Sequence, residues 1–178
     1  MGRKIMLPGL TLVLGGAASG KSAFAESLVT ETGRTPVYLA TAQAHDDEMR
    51  LKIDRHKDRR GQGWHTVEAP LDPGRALAAI GSDRAVLVDC ATMWLSNQLL
   101  ADNDLPQAEA ELVEGLALCP APVVIVSNEV GLSVVPENAL ARRFRQAQGE
   151  LNQTLAAKAD LVVNVIAGLP MALKGTLP

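Results

Sequence analysis

The chain has 178 residues, 47% of them hydrophobic, 3% aromatic, and a formal net charge of −3. That is enough apolar material for one compact domain with an aliphatic core, and it excludes a disordered chain. The absence of a basic excess and the few aromatics argue against a nucleic-acid binder or a base-stacking platform. In chain order, Leu10 to Leu14 is a short apolar run that ends at a glycine-rich loop. "KSAFAESLVTET" has helical spacing, with Gly33 as its stop, and "TPVYLAT" reads as a second buried strand. "DDEMRLKIDRHKDRR" is charged but rich in helix formers, with Met49 and Ile53 on one stripe and "GQG" at its end. "WHTVEAP" is a short strand, and "DPGRALAAIG" a helix opened by Asp72 and Pro73. "RAVLVDC" is a strand ending in an acid. "MWLSNQLLA" and "QAEAELVEGLALC" are helices on either side of "DNDLP", and "APVVIVSNEVG" is a buried strand. "PENALARRFRQAQGELNQTLAAKA" is a long helix opened by Pro136 and Glu137, and "DLVVNVIAG" is a last strand.

Continuous apolar strands that alternate with helices specify an α/β fold, with a mostly parallel central sheet covered on both faces. No repeat, low-complexity tract or linker divides the chain, so residues 1–178 are expected to form one domain. Cys90 and Cys119 each sit beside an apolar run and read as buried free thiols in a reducing cytosol. No C-x-x-C or His/Cys cluster suggests zinc. "MGRKIMLPG" lacks the apolar stretch of a signal peptide, and no run approaches the roughly 18 residues of a membrane helix. The expectation is a soluble cytoplasmic protein, with neither a membrane span nor nucleic acid as a partner.

The loop carries the first chemical signal. Gly15, Gly20, Lys21 and Ser22 fit G-x-x-x-x-G-K-[ST], placed between a buried strand and a helix, which is the context the motif needs. Gly15, Gly16, Ala17, Ala18, Ser19 and Gly20 would turn backbone N–H groups onto phosphate oxygens, aided by the positive end of the next helix. Lys21 would reach the β- and γ-phosphates, and the Ser22 hydroxyl would face Mg²⁺. The fold expected is therefore a P-loop NTPase-like (RecA-like) domain. Asp89 ends a core strand and reads either as the acid that holds Mg²⁺ or as the N-cap of a helix starting in "DCATMW". A GTPase switch is disfavoured: "CATM" follows Asp89 where D-x-x-G is needed, and Asn128 has no Lys after it for N-K-x-D.

All three histidines fall in one stretch. His56 lies among Arg55, Lys57, Arg59 and Arg60, cations that favour a neutral imidazole and attract a triphosphate. It reads as a nucleophile at phosphorus, or else as part of a solvated helix face partly balanced by Asp54 and Asp58. His45 reads as a helix-start residue and His65 as a strand residue.

These pieces, in order, bring out a family likeness. "GGAASGKS", "YLATAQAHDDEM", "KIDRHKDRR", "GWHTVE", "VLVDCATMWLSN", "VVIVSNEVGLSVVPENALARRFRQAQGELNQTLAAKAD" and "VVNVIAGLPMALK" together span nearly the whole chain. The chain resembles the bifunctional adenosylcobinamide kinase / adenosylcobinamide-phosphate guanylyltransferase family of cobalamin biosynthesis. The resemblance implies two reactions: phosphorylation of adenosylcobinamide by ATP or GTP, then transfer of GMP from GTP to adenosylcobinamide phosphate. The products of the second are adenosylcobinamide-GDP and pyrophosphate. By resemblance His56 carries GMP covalently, and Lys21 serves both steps. Lys57, Asp58, Arg59, Arg60, Ala40, Thr41, Ala42, Glu68 and Asp89 then line the nucleotide site, with Mg²⁺ across the phosphates at Ser22 and Asp89. The resemblance also implies a homo-oligomer, expected to be a trimer. "SNEVGLSVVPEN" shapes a loop at the sheet's carboxyl edge, near the corrinoid or a subunit contact, with no mechanistic role assigned. Two other readings are a monofunctional P-loop small-molecule kinase with "RHKDRR" as a cationic lid, and a GTP-binding regulatory module.

Overall fold

The structure is a computed structural model and describes residues 4–43 and 62–178. The strands are β1 (Leu10–Gly15), β2 (Thr35–Ala40), β3 (His65–Glu68), β4 (Arg84–Asp89), β5 (Val123–Asn128), β6 (Leu161–Ile166) and β7 (Leu169–Lys174). Among the described residues the helices are α1 (Lys21–Glu31), α2 (Pro73–Ala78), α3 (Ala91–Leu100), α4 (Leu105–Leu118) and α5 (Ala139–Lys158). The sheet order is β3-β2-β4-β5-β1-β6-β7, parallel throughout except for β7.

The central strands are apolar on both sides because both sides are covered. Leu12, Val88 and Ile125 face α2 to α5 and meet Leu77, Trp94, Leu112, Leu151 and Leu155. Val13, Leu87, Val126 and Val163 face the other way, onto Ala25, Leu28 and Val29 of α1. The α/β layers expected from the sequence are thus present. Helices α2 and α4 cross with their backbones in contact: a Cβ at Gly74 would lie 2.5 Å from Glu111 O.

Capping chemistry sets the helix starts. The Asp72 carboxylate accepts from Arg75 N at 3.0 Å, and the Asp104 carboxylate accepts from Gln107 N at 3.0 Å. The long helix differs from expectation. It begins at Ala139, beyond Pro136 and Glu137, because Asn138 Oδ1 accepts from Leu140 N at 2.8 Å and Ala141 N at 3.2 Å. The end of the chain differs too. β6 is not the last strand: Ala167 (φ 52°) and Gly168 (φ 79°) turn the chain into β7. A two-residue turn with positive φ at both positions favours Asn-Gly. Here Ala occupies the first position, and Pro170 stands in β7, which hides the hairpin from a pattern reading. The proline is tolerated because β7 is an edge strand.

Candidate active site

The glycine-rich loop leaves β1 and enters α1, and three backbone contacts hold it. Glu129 N donates to Gly15 O at 3.1 Å, Ser19 N to Gly16 O at 3.3 Å, and Gly168 N to Ser19 O at 2.8 Å. The β6–β7 turn therefore props the loop from behind. Gly15 must be glycine, since a Cβ there would run into Ser19 Oγ and lie 2.7 Å from Val165 O. Gly20 sits at φ 94° and would bring a Cβ within 3.2 Å of Gly168 Cα. Gly16 is the open side: among the described residues a Cβ there meets nothing within 4 Å. Ala17 and Ala18 are exposed beside it, so among the described residues nothing covers that face of the loop.

Lys21 opens α1, and its Nζ donates to Gly16 O at 3.1 Å, so the ammonium lies across the loop mouth. Burial lowers its pKa, while Cys90 and Asp89 pull it the other way. Burial, followed by the Asp89 charge, pushes the Cys90 thiol up to about 12, so near neutral pH Cys90 is a neutral thiol. Ser22 is half-buried in the first turn of α1.

Asp89 ends β4, and Tyr38 Oη donates to its Oδ2 at 3.1 Å. Tyr38 is in turn set by an edge-to-face contact with Trp64, ring centroids 6.3 Å apart. Asp89 does not cap α3: the N-cap is Cys90, without a side-chain bond. Ala40 is in register with Asp89 on one side and with Glu68 on the other, so the three form one row at the carboxyl ends of β4, β2 and β3. Glu68 is exposed and Ala42 half-buried. Thr41 is fully buried and its polar groups are all engaged. Its Oγ1 donates to Cys90 O and accepts from Cys90 N, both at 2.7 Å. Its N–H donates to Asp89 O, and its carbonyl accepts from Asn97 Nδ2 at 2.8 Å. Thr41 thus ties β2 to the turn after Asp89 by a side chain that faces protein. His65 is exposed on β3. His45, His56, Lys57, Asp58, Arg59 and Arg60 lie outside the described residues.

Sequence reasoning missed a buried polar cluster. Ser127 Oγ donates to Asn152 Oδ1 at 2.6 Å, and Gln148 Nε2 donates to Ser127 Oγ at 2.9 Å and to Asn152 Oδ1 at 3.0 Å. Its only signal was a polar pair at the end of an apolar strand, "SN", and "QGELN" on the long helix.

A parallel sheet with a phosphate-binding loop after β1, and an acid one strand removed on β4, defines a RecA-like P-loop NTPase domain. Solved structures agree on the fold. The flagellar accessory protein FlaH of Methanocaldococcus jannaschii matches with TM-score 0.53 at 13% identity, over 96% of this chain and 80% of that one. RadB recombinase matches with TM-score 0.54 at 17% identity, over 89% and 74%. A type III secretion ATPase matches with TM-score 0.56 at 11% identity, over 96% and 59%.

Within that class the chain belongs to the cobinamide kinase / cobinamide phosphate guanyltransferase family, which matches residues 11–173. It is 45% identical over 167 residues to the bifunctional adenosylcobalamin biosynthesis protein CobP of Pseudomonas aeruginosa, covering 92% of this chain and 96% of that one. It is 41% identical over 181 residues to the bifunctional adenosylcobalamin biosynthesis protein CobU of Salmonella typhimurium, covering 93% and 99%. Among the described residues no helix is long and apolar enough to cross a membrane.

Proposed function

We propose that this chain phosphorylates adenosylcobinamide with ATP or GTP and then transfers GMP from GTP to the product. The observation that carries this reading is the open P-loop, with Lys21 facing Asp89, in a chain of this family.

In the kinase step the terminal hydroxyl oxygen of adenosylcobinamide bonds to the γ-phosphorus. The bond from that phosphorus to the bridging oxygen breaks, and the hydroxyl proton leaves. The residues' work is positional and electrostatic. Loop N–H groups of residues 16–20 and the start of α1 hold the phosphates, and Lys21 balances the charge that builds on the leaving group. In the second reaction a ring nitrogen of His56 bonds to the α-phosphorus of GTP and pyrophosphate leaves. A phosphate oxygen of adenosylcobinamide phosphate then takes the GMP group, releasing His56 and forming adenosylcobinamide-GDP. Lys57, Asp58, Arg59, Arg60, Ala40, Ala42 and Glu68 line this nucleotide site, and Thr41 braces it.

The donor set at Ser22 and Asp89, a hydroxyl and a carboxylate, suits Mg²⁺, which takes few protein oxygens and completes its shell with phosphate and water. When bound it neutralises phosphate charge. We also infer a homo-oligomer, a trimer by family resemblance. Leu132 and Val134, 93% and 91% exposed beside the site's edge, support self-association.

The test is product analysis. Protein given adenosylcobinamide, Mg²⁺ and GTP should yield adenosylcobinamide phosphate and then adenosylcobinamide-GDP by mass spectrometry. Accumulation of the phosphate alone would leave only the kinase, and neither product would refute the assignment.

A further inference from the structure

Asn128 ends β5, the strand between the loop strand β1 and the acid strand β4, and it is in register with Gly15. Along β5, Val124 and Val126 pack on the α1 face, while Ser127 turns to Gln148 and Asn152 of α5. Alternation puts the Asn128 side chain on the α1 face, the face of Lys21 and of Asp89. It is half-buried there, and among the described residues its carboxamide takes no hydrogen-bond partner.

Its backbone, by contrast, is held on both sides. The β4–β5 pairing ends at Asp89↔Val126, so Asn128 lies past it. Thr92 Oγ1 accepts from Asn128 N at 2.8 Å in place of a strand partner. Asn152 Nδ2 donates to Asn128 O at 3.1 Å. Behind it stand Ser127 and Gln148, both 0% exposed. Burying three polar side chains costs desolvation that an apolar cluster of the same volume would avoid. What the polar cluster adds is a fixed Asn128, joined through Thr92 to the segment that follows Asp89 and through Asn152 to α5.

We propose that the Asn128 carboxamide is a catalytic residue that donates to the terminal phosphoryl group of the bound triphosphate, with Thr92 and Asn152 as its positioning residues. A neutral two-donor group between the Lys21 loop and Asp89 suits the phosphate farthest from the nucleoside, where charge shifts during transfer. This deepens the proposed function and rests on its triphosphate site.

The test is binding without the cobinamide acceptor, by calorimetry with Mg²⁺. The ligands are GTP with a methylene between its α- and β-phosphorus, which cannot release pyrophosphate, and the matching diphosphate. Asn128→Ala should weaken the triphosphate analogue roughly tenfold or more and leave the diphosphate within about twofold. Thr92→Val should weaken the triphosphate analogue selectively and less, and Thr92→Ser, which keeps the hydroxyl, should restore it. Asn128→Ser serves as the second truncation if the alanine variant does not fold. Equal effects on both ligands, or none, would overturn the assignment. Wild-type protein that binds neither ligand would instead refute the triphosphate site itself.

Discussion

The two halves of the sheet's carboxyl edge are held by different means. Around β1 the glycine-rich loop is fastened by main chain to main chain: Glu129 N on Gly15 O, Gly168 N on Ser19 O. Around β4 and β5 the turns are fastened by side chains: Thr41 on Cys90, Asn97 on Thr41, Thr92 and Asn152 on Asn128. Main-chain fastening demands close approach and so excludes Cβ atoms. Side-chain fastening demands particular polar groups at positions far apart in the chain. The first half should break when bulk is added, the second when a hydroxyl or amide is removed.

The largest effect is expected at the loop. Lys21→Ala should lower kcat/KM of both reactions by roughly 100-fold to 1000-fold, the loss typical of one preorganised donor to developing charge. Steady-state assays of each reaction check this. A loss confined to one reaction would place the two nucleotides on different phosphate cradles. Gly15→Ala should abolish nucleotide binding and cost about 1–3 kcal/mol in urea melts, because its Cβ overlaps Ser19 Oγ and crowds Val165 O.

The side-chain half should respond more gently. Asn152→Leu leaves Asn128 O and the Gln148 amide short of partners, and should cost about 1–3 kcal/mol of stability. It should lower kcat more than it raises KM, which unfolding alone would not do. Asn138→Ala, which removes the cap of α5, should cost about 1 kcal/mol by thermal melts and leave activity nearly intact.

Near neutral pH the smallest effect is that of Cys90, which shows only in alkaline solution, because burial and then Asp89 raise the thiol from 9.0 to about 12. Below pH 9 both folded and unfolded thiols are protonated, and the contribution is fully present. As pH rises from 9 towards 12 the unfolded thiol ionises and the folded one does not, so stability falls by up to about 1.4 kcal/mol per pH unit. Urea midpoints of wild type and Cys90→Ala should therefore diverge above pH 9. Parallel curves would mean that Cys90 ionises as easily folded as unfolded.

The same contrast explains what the sequence allowed to be read. The loop was legible because main-chain fastening leaves a dense local trace, Gly15-x-x-x-x-Gly20-Lys21-Ser22, between a strand and a helix. Asp89 was legible as an acid at the end of an apolar run, and the parallel sheet as apolar runs separated by helices. The Ser127–Gln148–Asn152 cluster was not, because its members meet only when α5 packs on β5. Thr41 was assigned to the nucleotide site by family likeness; that its hydroxyl ties to the Cys90 backbone was not legible, because the two lie 49 residues apart. β7 was hidden because its side chains are almost all exposed, so no alternation of apolar and polar residues marks it. His56 was singled out by its cationic neighbours, and its part rests on chemistry and family likeness.

That part is the central claim, and one measurement addresses it directly. Protein is incubated with Mg²⁺ and GTP labelled at the α-phosphorus, denatured, and examined for retained label. Label that is acid-labile, base-stable and mapped to His56 by peptide mass spectrometry is the expected result. Protein that binds GTP and phosphorylates adenosylcobinamide yet retains no label would contradict it, leaving "RHKDRR" as a lid over the nucleotide of a simple kinase.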